Sequence, residues 1–343
     1  MARRALVTGG SGYFGSVLVD TLAREGWDVR VFDLNPPDAS DVEVDFVQGD
    51  IRDRDVVLRA CTGMDVVHHN VAQVPLAKDP ALFDEVNEWG TANLLVAARA
   101  AGVEKVVYTS SSAVFGRPDT NPVTEATPAR PLEAYGRAKL RGELLCREAA
   151  ASGLDVTVIR PRTILGHGRL GIMSVLFELV AAGGPVFVLS GGRNVYQFVH
   201  ASDLADACRR AGERPGAATY NIGAAEFGTM RETLEALVEH AGTGSKVRSL
   251  PKAPAAAAMH VLSALGLAPF APYHWLMYGQ SLWFDVTRAR DELGWVPQHA
   301  NTSMLIESYE WFLEHRADTD VEGRSRHRSP VPPGVLRLLR YLP

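Results

Sequence analysis

Cysteine is scarce in this chain of 343 residues: only Cys61, Cys146 and Cys208 occur, far apart and without any CxxC spacing. That argues against a disulfide framework and against a thiolate zinc site, and it points to a reducing compartment, the cytoplasm; no metal is expected. Long apolar runs are missing as well. The chain opens MARRALVTGGSG, with a short apolar stretch before the glycines, and nowhere offers the ~20 apolar residues that a membrane span needs, so neither a signal peptide nor a span is expected. Charge of one sign is also lacking: 35 Lys and Arg against 40 Asp and Glu leave a net charge of -5, spread along the chain. That balance speaks against a nucleic-acid partner and for a small-molecule substrate.

What is present is an alternation. Runs rich in Val and Ile recur at Ala5 to Thr8, Asp28 to Phe32, Asp65 to Val71, Lys105 to Ser110 and Val156 to Arg160, and a further strand is expected at Thr219 to Ile222. Between them, Gly12 to Glu25, Asp84 to Ala101 and Tyr135 to Ala151 are rich in helix formers and long enough for crossover helices. This is the pattern of an α/β fold with a doubly wound parallel sheet. The length exceeds the roughly 250–300 residues of a single core, so a second lobe is expected. The expected division is a dinucleotide-binding domain over 1–165 with returning segments near 195–223, a substrate lobe over 166–194 and 224–316, and a polar linker and tail over 317–343. Pro251 to Gly279 combines an apolar composition with four prolines; it reads as a helix packed on the lobe, with an apolar lid as the alternative, and the prolines exclude a span.

The first strand runs into TGGSGYFG, which places Gly9, Gly12 and Gly15 beside Tyr13 and Phe14 at the start of the first helix. Glycine there permits a tight turn and lets backbone N–H groups reach a pyrophosphate at a helix N-terminus. Asp33 ends the second strand, 18 residues after Gly15, where a carboxylate accepts hydrogen bonds from adenosine ribose hydroxyls. An acid there repels a 2'-phosphate, and the following Leu34, Asn35, Pro36 and Pro37 include no Arg to hold one; NAD is therefore expected over NADP. Asp50 and Ile51 in QGDIRD follow the third strand, and either Asp50 or Asp53 suits the cap of the next helix.

Tyr135 and Lys139 stand four apart in YGRAKLRGELL and so share a helix face. With nine Tyr and five Lys in the chain, such a pair is expected about 0.13 times by chance, and it occurs once. A nearby ammonium lowers a phenol pKa from ~10 toward neutrality, which makes Tyr135 a usable acid or base for a substrate hydroxyl. Ser110, Ser111 and Ser112 end the fifth strand at its carboxyl edge, where ligands of open parallel sheets sit, and one of these hydroxyls can polarise the same substrate oxygen.

These blocks, with NVAQ, VNEWGTANLL, YTSSSAVFG, RPRTILGHG, FVHASDLADA, YNIG and RARDELGWVP, occur in order over about residues 4 to 313. Together they resemble the extended short-chain dehydrogenase/reductases, the NAD-dependent epimerase/dehydratase group. The resemblance implies a Rossmann-type fold and a catalytic set of Ser111, Tyr135 and Lys139. It also implies that Asp50 and Ile51 flank the adenine, that Val71 and Ala72 line the dinucleotide, that Lys139 holds the nicotinamide ribose and that Pro161 to Thr163 lie beside the carboxamide. Gln73, Ser112, Arg162, Arg169, Arg193 and Gln197 are the candidates for substrate contact.

The departures bear on substrate. Dehydratases of the family carry an acidic pair after the catalytic Ser or Thr, where this chain has Ser112 and Ala113, so elimination of water is disfavoured. Many nucleotide-sugar epimerases carry Asn and Arg phosphate ligands where this chain has Thr163 and Tyr196; Arg162, Arg169 or Arg193 are the available substitutes. The leading expectation is NAD-dependent hydride transfer at a secondary hydroxyl of a nucleotide-activated sugar, by a cytoplasmic homodimer. The rival is a hydroxysteroid-dehydrogenase-like dehydrogenase or ketone reductase acting on an apolar alcohol. A dinucleotide sensor without catalysis is disfavoured by the intact proton-transfer residues.

Overall fold

The computed structural model describes residues 2–38, 42–73, 82–267 and 276–316. Seven strands, β1 (Arg4–Thr8), β2 (Asp28–Asp33), β3 (Asp45–Gln48), β4 (Val66–His69), β5 (Lys105–Thr109), β6 (Asp155–Pro161) and β11 (Ala218–Ile222), form one parallel sheet in the order β11-β6-β5-β4-β1-β2-β3. Strands β4 and β5 are buried at every position, which explains why they read as unbroken apolar runs instead of alternating ones. Outside this sheet, β7 (Thr163–Leu165) pairs parallel with β10 (Phe198–His200), β8 (Val186–Leu189) parallel with β13 (Val247–Leu250), and β9 (Val195–Tyr196) antiparallel with β12 (Gly228–Thr229).

Helices cover both faces of the sheet. On one side α1 (Tyr13–Arg24) packs with a later helix, Ala201–Glu213, and Leu18, Leu22, Leu204 and Ala211 join Trp295 in one core cluster. On the other, α2 (Arg54–Cys61), α3 (Gly90–Ala100) and α4 (Ala134–Ala151) bring Val57, Leu94, Ala98 and Cys146 against Val67 and Val106. The second alternative for capping α2 is the one realised: Asp53 accepts from the N–H groups of Asp55 and Val56, whereas Asp50 is held by Arg52. The remaining helices are α5 (Ile172–Ala181), α6 (Ala201–Glu213), α7 (Met230–Ala241), α8 (Lys252–Ala264), α9 (Thr287–Leu293) and α10 (Asn301–Glu314). A third cluster, built on Leu165, Phe177, Val186, Leu234, Met304 and Phe312, unites α5, α7 and α10 with β7 and β8.

One expectation needs correction. The stretch Asp84 to Ala101 is not one α-helix: it starts as a π-helix, Phe83–Trp89, and continues as α3. Within Pro251 to Gly279 the described part contains the expected helix, α8, which lies at the surface: none of its residues is fully buried, and Ala255, Ala256, Met259 and Leu262 are half-buried along one face. Residues 268–275 and the expected tail over 317–343 lie outside the described residues. No helix of the described residues is long and apolar enough to cross a membrane.

The sheet encloses two adjacent histidines on β4. His69 lies between the hydroxyls of Thr8 and Thr91, while neither ring nitrogen of His68 has a hydrogen-bond partner. Burial pushes both rings down to about 3. The unfolded chain binds these protons near pH 6.5 and the folded chain does not, so stability falls as pH drops through that region. The urea midpoint is therefore expected to decrease from pH 7 to pH 5, and His68→Leu, which removes an unsatisfied imidazole, should hold or raise stability at pH 7 and reduce that decrease. A His68→Leu chain that loses stability at pH 7 would show instead that the ring is bonded.

Candidate active site

The order of strands reverses between β1 and β4, and ligands of open α/β sheets bind outside the carboxyl ends at such a point. The loops leaving these two strands touch. Gly9 has φ +70°, and a side chain on it would meet the backbone of Asn70 and Val71. Gly15 is tighter still: a Cβ there would stand 2.0 Å from the Gly9 carbonyl oxygen. Helix α1 begins at Tyr13 with no side-chain cap from Gly12, so the N–H groups of its first turn face the crevice without a partner from the capping residue. These N–H groups and the glycine cradle fit a dinucleotide pyrophosphate. Asp33 ends β2 beside them; its carboxylate accepts from Ser11 N and Asn35 N, each at 3.2 Å. Burial pushes its pKa up against the pull of those N–H groups.

Farther along the crevice, Val71 and Ala72 leave β4 half-buried, and the backbone of Gln73 is clamped at both its N–H and C=O by the buried side chain of Asn87 on the π-helix. Ile51 is buried and packs against Gly90. Asp50 is bound to Arg52, which also reaches Glu85, so the carboxylate is already paired and its pKa lies below the usual range.

The start of α4 fixes the expected catalytic residues. Glu133 caps the helix by accepting from the N–H groups of Tyr135 and Gly136 at 2.8 and 2.7 Å, which places Tyr135 in the first turn, edge-on to Phe83 at 6.4 Å between ring centroids. One turn on, the buried Lys139 donates from Nζ to the Thr109 carbonyl at 2.8 Å and lies 4.9 Å from the Tyr108 ring. Burial pushes its pKa down to about 8, opposed by the Cys146 sulfur and the Glu143 carboxylate.

The three serines after β5 separate by environment. Ser110 is buried and donates to Glu143. Ser112 is buried within a 3-10 turn, Ser112–Phe115. Ser111 is half-buried, and its oxygen accepts from Ala113 N at 3.2 Å; that bond occupies a lone pair and leaves the hydroxyl proton to be donated elsewhere.

The candidates for substrate contact fare unevenly. Thr163 and Tyr196, the two positions that depart from the phosphate-binding pattern, are brought together by a 2.8 Å hydrogen bond between their hydroxyls. Arg162 is 2% exposed, bonded to the Gln197 carbonyl and flanked by the rings of Tyr196 and Phe284. Gln197 is fully buried, donating to Ala224 O and accepting from Phe284 N, so both ends of its amide are engaged within the protein. Arg193 is exposed beyond β8 beside Gly191. Arg169 lies over the Tyr13 ring, donates to the Ile164 carbonyl and interacts electrostatically with Tyr135. Pro161 closes β6 opposite Ile222.

Sequence reading missed Glu143 and Asn87. Glu143 had a signal, because it stands eight residues after Tyr135 and four after Lys139, on the same helix face. Asn87 had none, because the π-helical turn that aims it does not follow the 3.6-residue period.

Comparison with known proteins agrees with this geometry. The model of the NAD dependent epimerase/dehydratase family matches residues 5–223. An uncharacterized protein of Sinorhizobium fredii, y4nG, is 54% identical over 342 residues, covering 99% of this chain and 86% of that one. The UDP-glucose 4-epimerase of Mycolicibacterium smegmatis is 31% identical over 332 residues, covering 90% and 98%. Among solved structures, MoeE5 in complex with UDP-glucose and NAD superposes with a TM-score of 0.74 at 26% identity, covering 91% of this chain and 99% of that one. Glycine cradle, strand-end acid, Tyr135 and Lys139 thus stand in a chain that belongs to the NAD-dependent epimerase/dehydratase family, the extended short-chain dehydrogenase/reductase enzymes.

Proposed function

We propose that the enzyme interconverts a secondary alcohol and its ketone on a nucleotide-activated sugar, with epimerisation as the net outcome. The observation that supports this reading is the packing of α4, which carries Tyr135 and Lys139, on the carboxyl end of β5: Lys139 donates to the Thr109 carbonyl and Gly136 abuts the carbonyl of Ala113, two residues after Ser111. When bound, NAD supplies the acceptor for the hydride of the alcohol carbon and, reduced, its donor. Gly9, Gly12, Gly15 and the first-turn N–H groups of α1 hold its pyrophosphate, and Asp33 its adenosine ribose. Tyr135 takes the hydroxyl proton as the carbonyl forms and gives it back on reduction, while Ser111 donates a hydrogen bond to the same oxygen. Lys139 stabilises the phenolate with its charge. Arg169 adds a second cation on the side of Tyr13. Ser112 and Ala113, where dehydratases place acids, leave elimination without its proton-transfer groups.

The relatives that act on or hold UDP-glucose support the sugar reading. One observation favours a second reading, a dehydrogenase or ketone reductase on an apolar alcohol: Thr163 and Tyr196 satisfy each other, so the hydroxyls at these two positions are already engaged. The division into a dinucleotide domain and a substrate lobe near residues 165 and 166, the homodimer and the cytoplasmic location are part of the same proposal.

Three outcomes follow. Incubation with UDP-glucose and NAD should yield the C4 epimer, followed by NMR, without net NADH; stoichiometric NADH release with an apolar alcohol, and no epimer, would favour the second reading. Tyr135→Phe should lower turnover by at least about 10²–10⁴-fold while leaving NAD affinity near that of the parent, because it removes one oxygen and keeps the ring; activity within a few-fold of the parent would remove Tyr135 from the mechanism. Calorimetry should find NAD bound more tightly than NADP and the gap narrowed in Asp33→Asn; tighter NADP would reverse the role given to Asp33.

A further inference from the structure

Helix α8 turns an apolar face outward. Its half-buried positions, Lys252, Ala255, Ala256, Met259, Leu262 and Ser263, fall on one side of the helix, and the exposed Pro254, Ala257, Ala258, Val261, Ala264 and Leu265 fall on the other. That outward stripe holds no charge, and its one polar neighbour is His260 at the border. Val261 and Leu265 are 56% and 65% exposed; Leu250, at the end of the strand that leads into the helix, and Leu267, just beyond it, are exposed as well. Single exposed apolar side chains are ordinary on a protein surface, but a continuous stripe of them marks a surface that meets something else.

The charge around this stripe is one-sided. No Asp or Glu occurs between Glu239 and Asp285, although the chain has 40 acidic residues in 343, and the same span carries Lys246, Arg248 and Lys252. Lys252 opens α8, donates from Nζ to the Gly279 carbonyl at 3.0 Å and stands close enough to Arg117 for the two cations to repel. Neither of these nor Lys246 or Arg248 makes a salt bridge among the described residues. From an exposed apolar stripe with uncompensated basic residues at its start, we propose that α8 lies on an anionic lipid bilayer, its outward face among the upper acyl chains and its basic end against the headgroups.

Charge and shape select lipid over other occupants. A second copy would bring the same cations against this end of the helix, and residues 323–343, with five Arg and no acid, would bring five more. Protein interfaces are anchored by Trp, Tyr or Arg seated in pockets, whereas this stripe offers Ala, Pro, Val and Leu. A bilayer needs apolar area flanked by positive charge and no matching shape. The 13 residues of α8 measure about 20 Å, short of the ~30 Å hydrocarbon core, so the helix lies in the interface and does not cross it. Residues 323–343 would be drawn to the same lipid, and the variants below separate their pull from that of α8. The proposal is independent of the reaction, and its test needs neither substrate nor NAD.

The full chain is mixed with vesicles of phosphatidylcholine, with or without one-third phosphatidylglycerol, and binding is read by flotation. The protein should float with the phosphatidylglycerol vesicles, bind at least about tenfold less to phosphatidylcholine alone, and be released as salt is raised. Val261→Glu/Leu265→Glu alters two exposed positions and should weaken binding to the anionic vesicles at least about tenfold with Tm unchanged. Arg248→Glu should weaken it several-fold and keeps the test decisive if the helix variant misfolds; Val296→Glu, at a valine 52% exposed elsewhere in the chain, should not. Flotation that is absent, or that equals the parent's in both the Val261→Glu/Leu265→Glu and the Arg248→Glu chains, would overturn the proposal. So would a parent that sediments as a dimer beside a Val261→Glu/Leu265→Glu chain that sediments as a monomer, which would assign the stripe to a second copy.

Discussion

The structure turns on a buried ion pair between Glu143 and Arg160. Each is 1% exposed, and they meet in a two-pronged contact of 2.9 and 2.6 Å that also receives the Ser110 hydroxyl at 2.6 Å. Arg160 reaches on to the Glu125 carbonyl, and Glu125 accepts from Asn221 N on β11. One pair therefore ties α4 to the ends of β5, β6 and β11. Removing one partner of such a pair strands the other without compensation, at a cost of about 3–5 kcal/mol. The same contact holds α4, which carries Tyr135 and Lys139, against the serines after β5, so the proposed catalytic arrangement is positioned by groups outside the proposed reaction. Small residues allow the approach: a Cβ on Gly142 would stand 2.2 Å from the Tyr108 hydroxyl.

What the sequence reveals is what is local. Glycines 9, 12 and 15 with Asp33 announce themselves because a turn, a helix start and a strand end are set by neighbours in the chain, and Tyr135 with Lys139 by the period of a single helix. The strands were legible for the same reason, with their ends shifted by a residue or two. Asp84 to Ala101 was misread as one α-helix because a π-helical turn leaves no mark in residue spacing, and it is this turn that aims Asn87 at the backbone of Gln73. The burial of Arg162 and Gln197 was equally hidden: both residue types usually lie at surfaces, and only the pairing of β7 with β10 and the approach of Phe284 enclose them.

The substrate end of the site follows from the same contrast. Lys139 and Ser111 sit on elements anchored by the ion pair, whereas Thr163, Tyr196 and Arg169 belong to the segments leading into the third core cluster. On that side the hydroxyls of Thr163 and Tyr196 bond to each other.

The most direct test of the account is to follow the hydrogen that moves. The enzyme would be mixed with NAD and UDP-glucose carrying deuterium on the carbon whose hydroxyl Tyr135 is proposed to deprotonate, quenched within a turnover, and the nicotinamide analysed by NMR. The account predicts deuterium at C4 of the nicotinamide, and its retention in the epimeric product. Solvent protium at the epimerised carbon with no deuterium in the cofactor would contradict it.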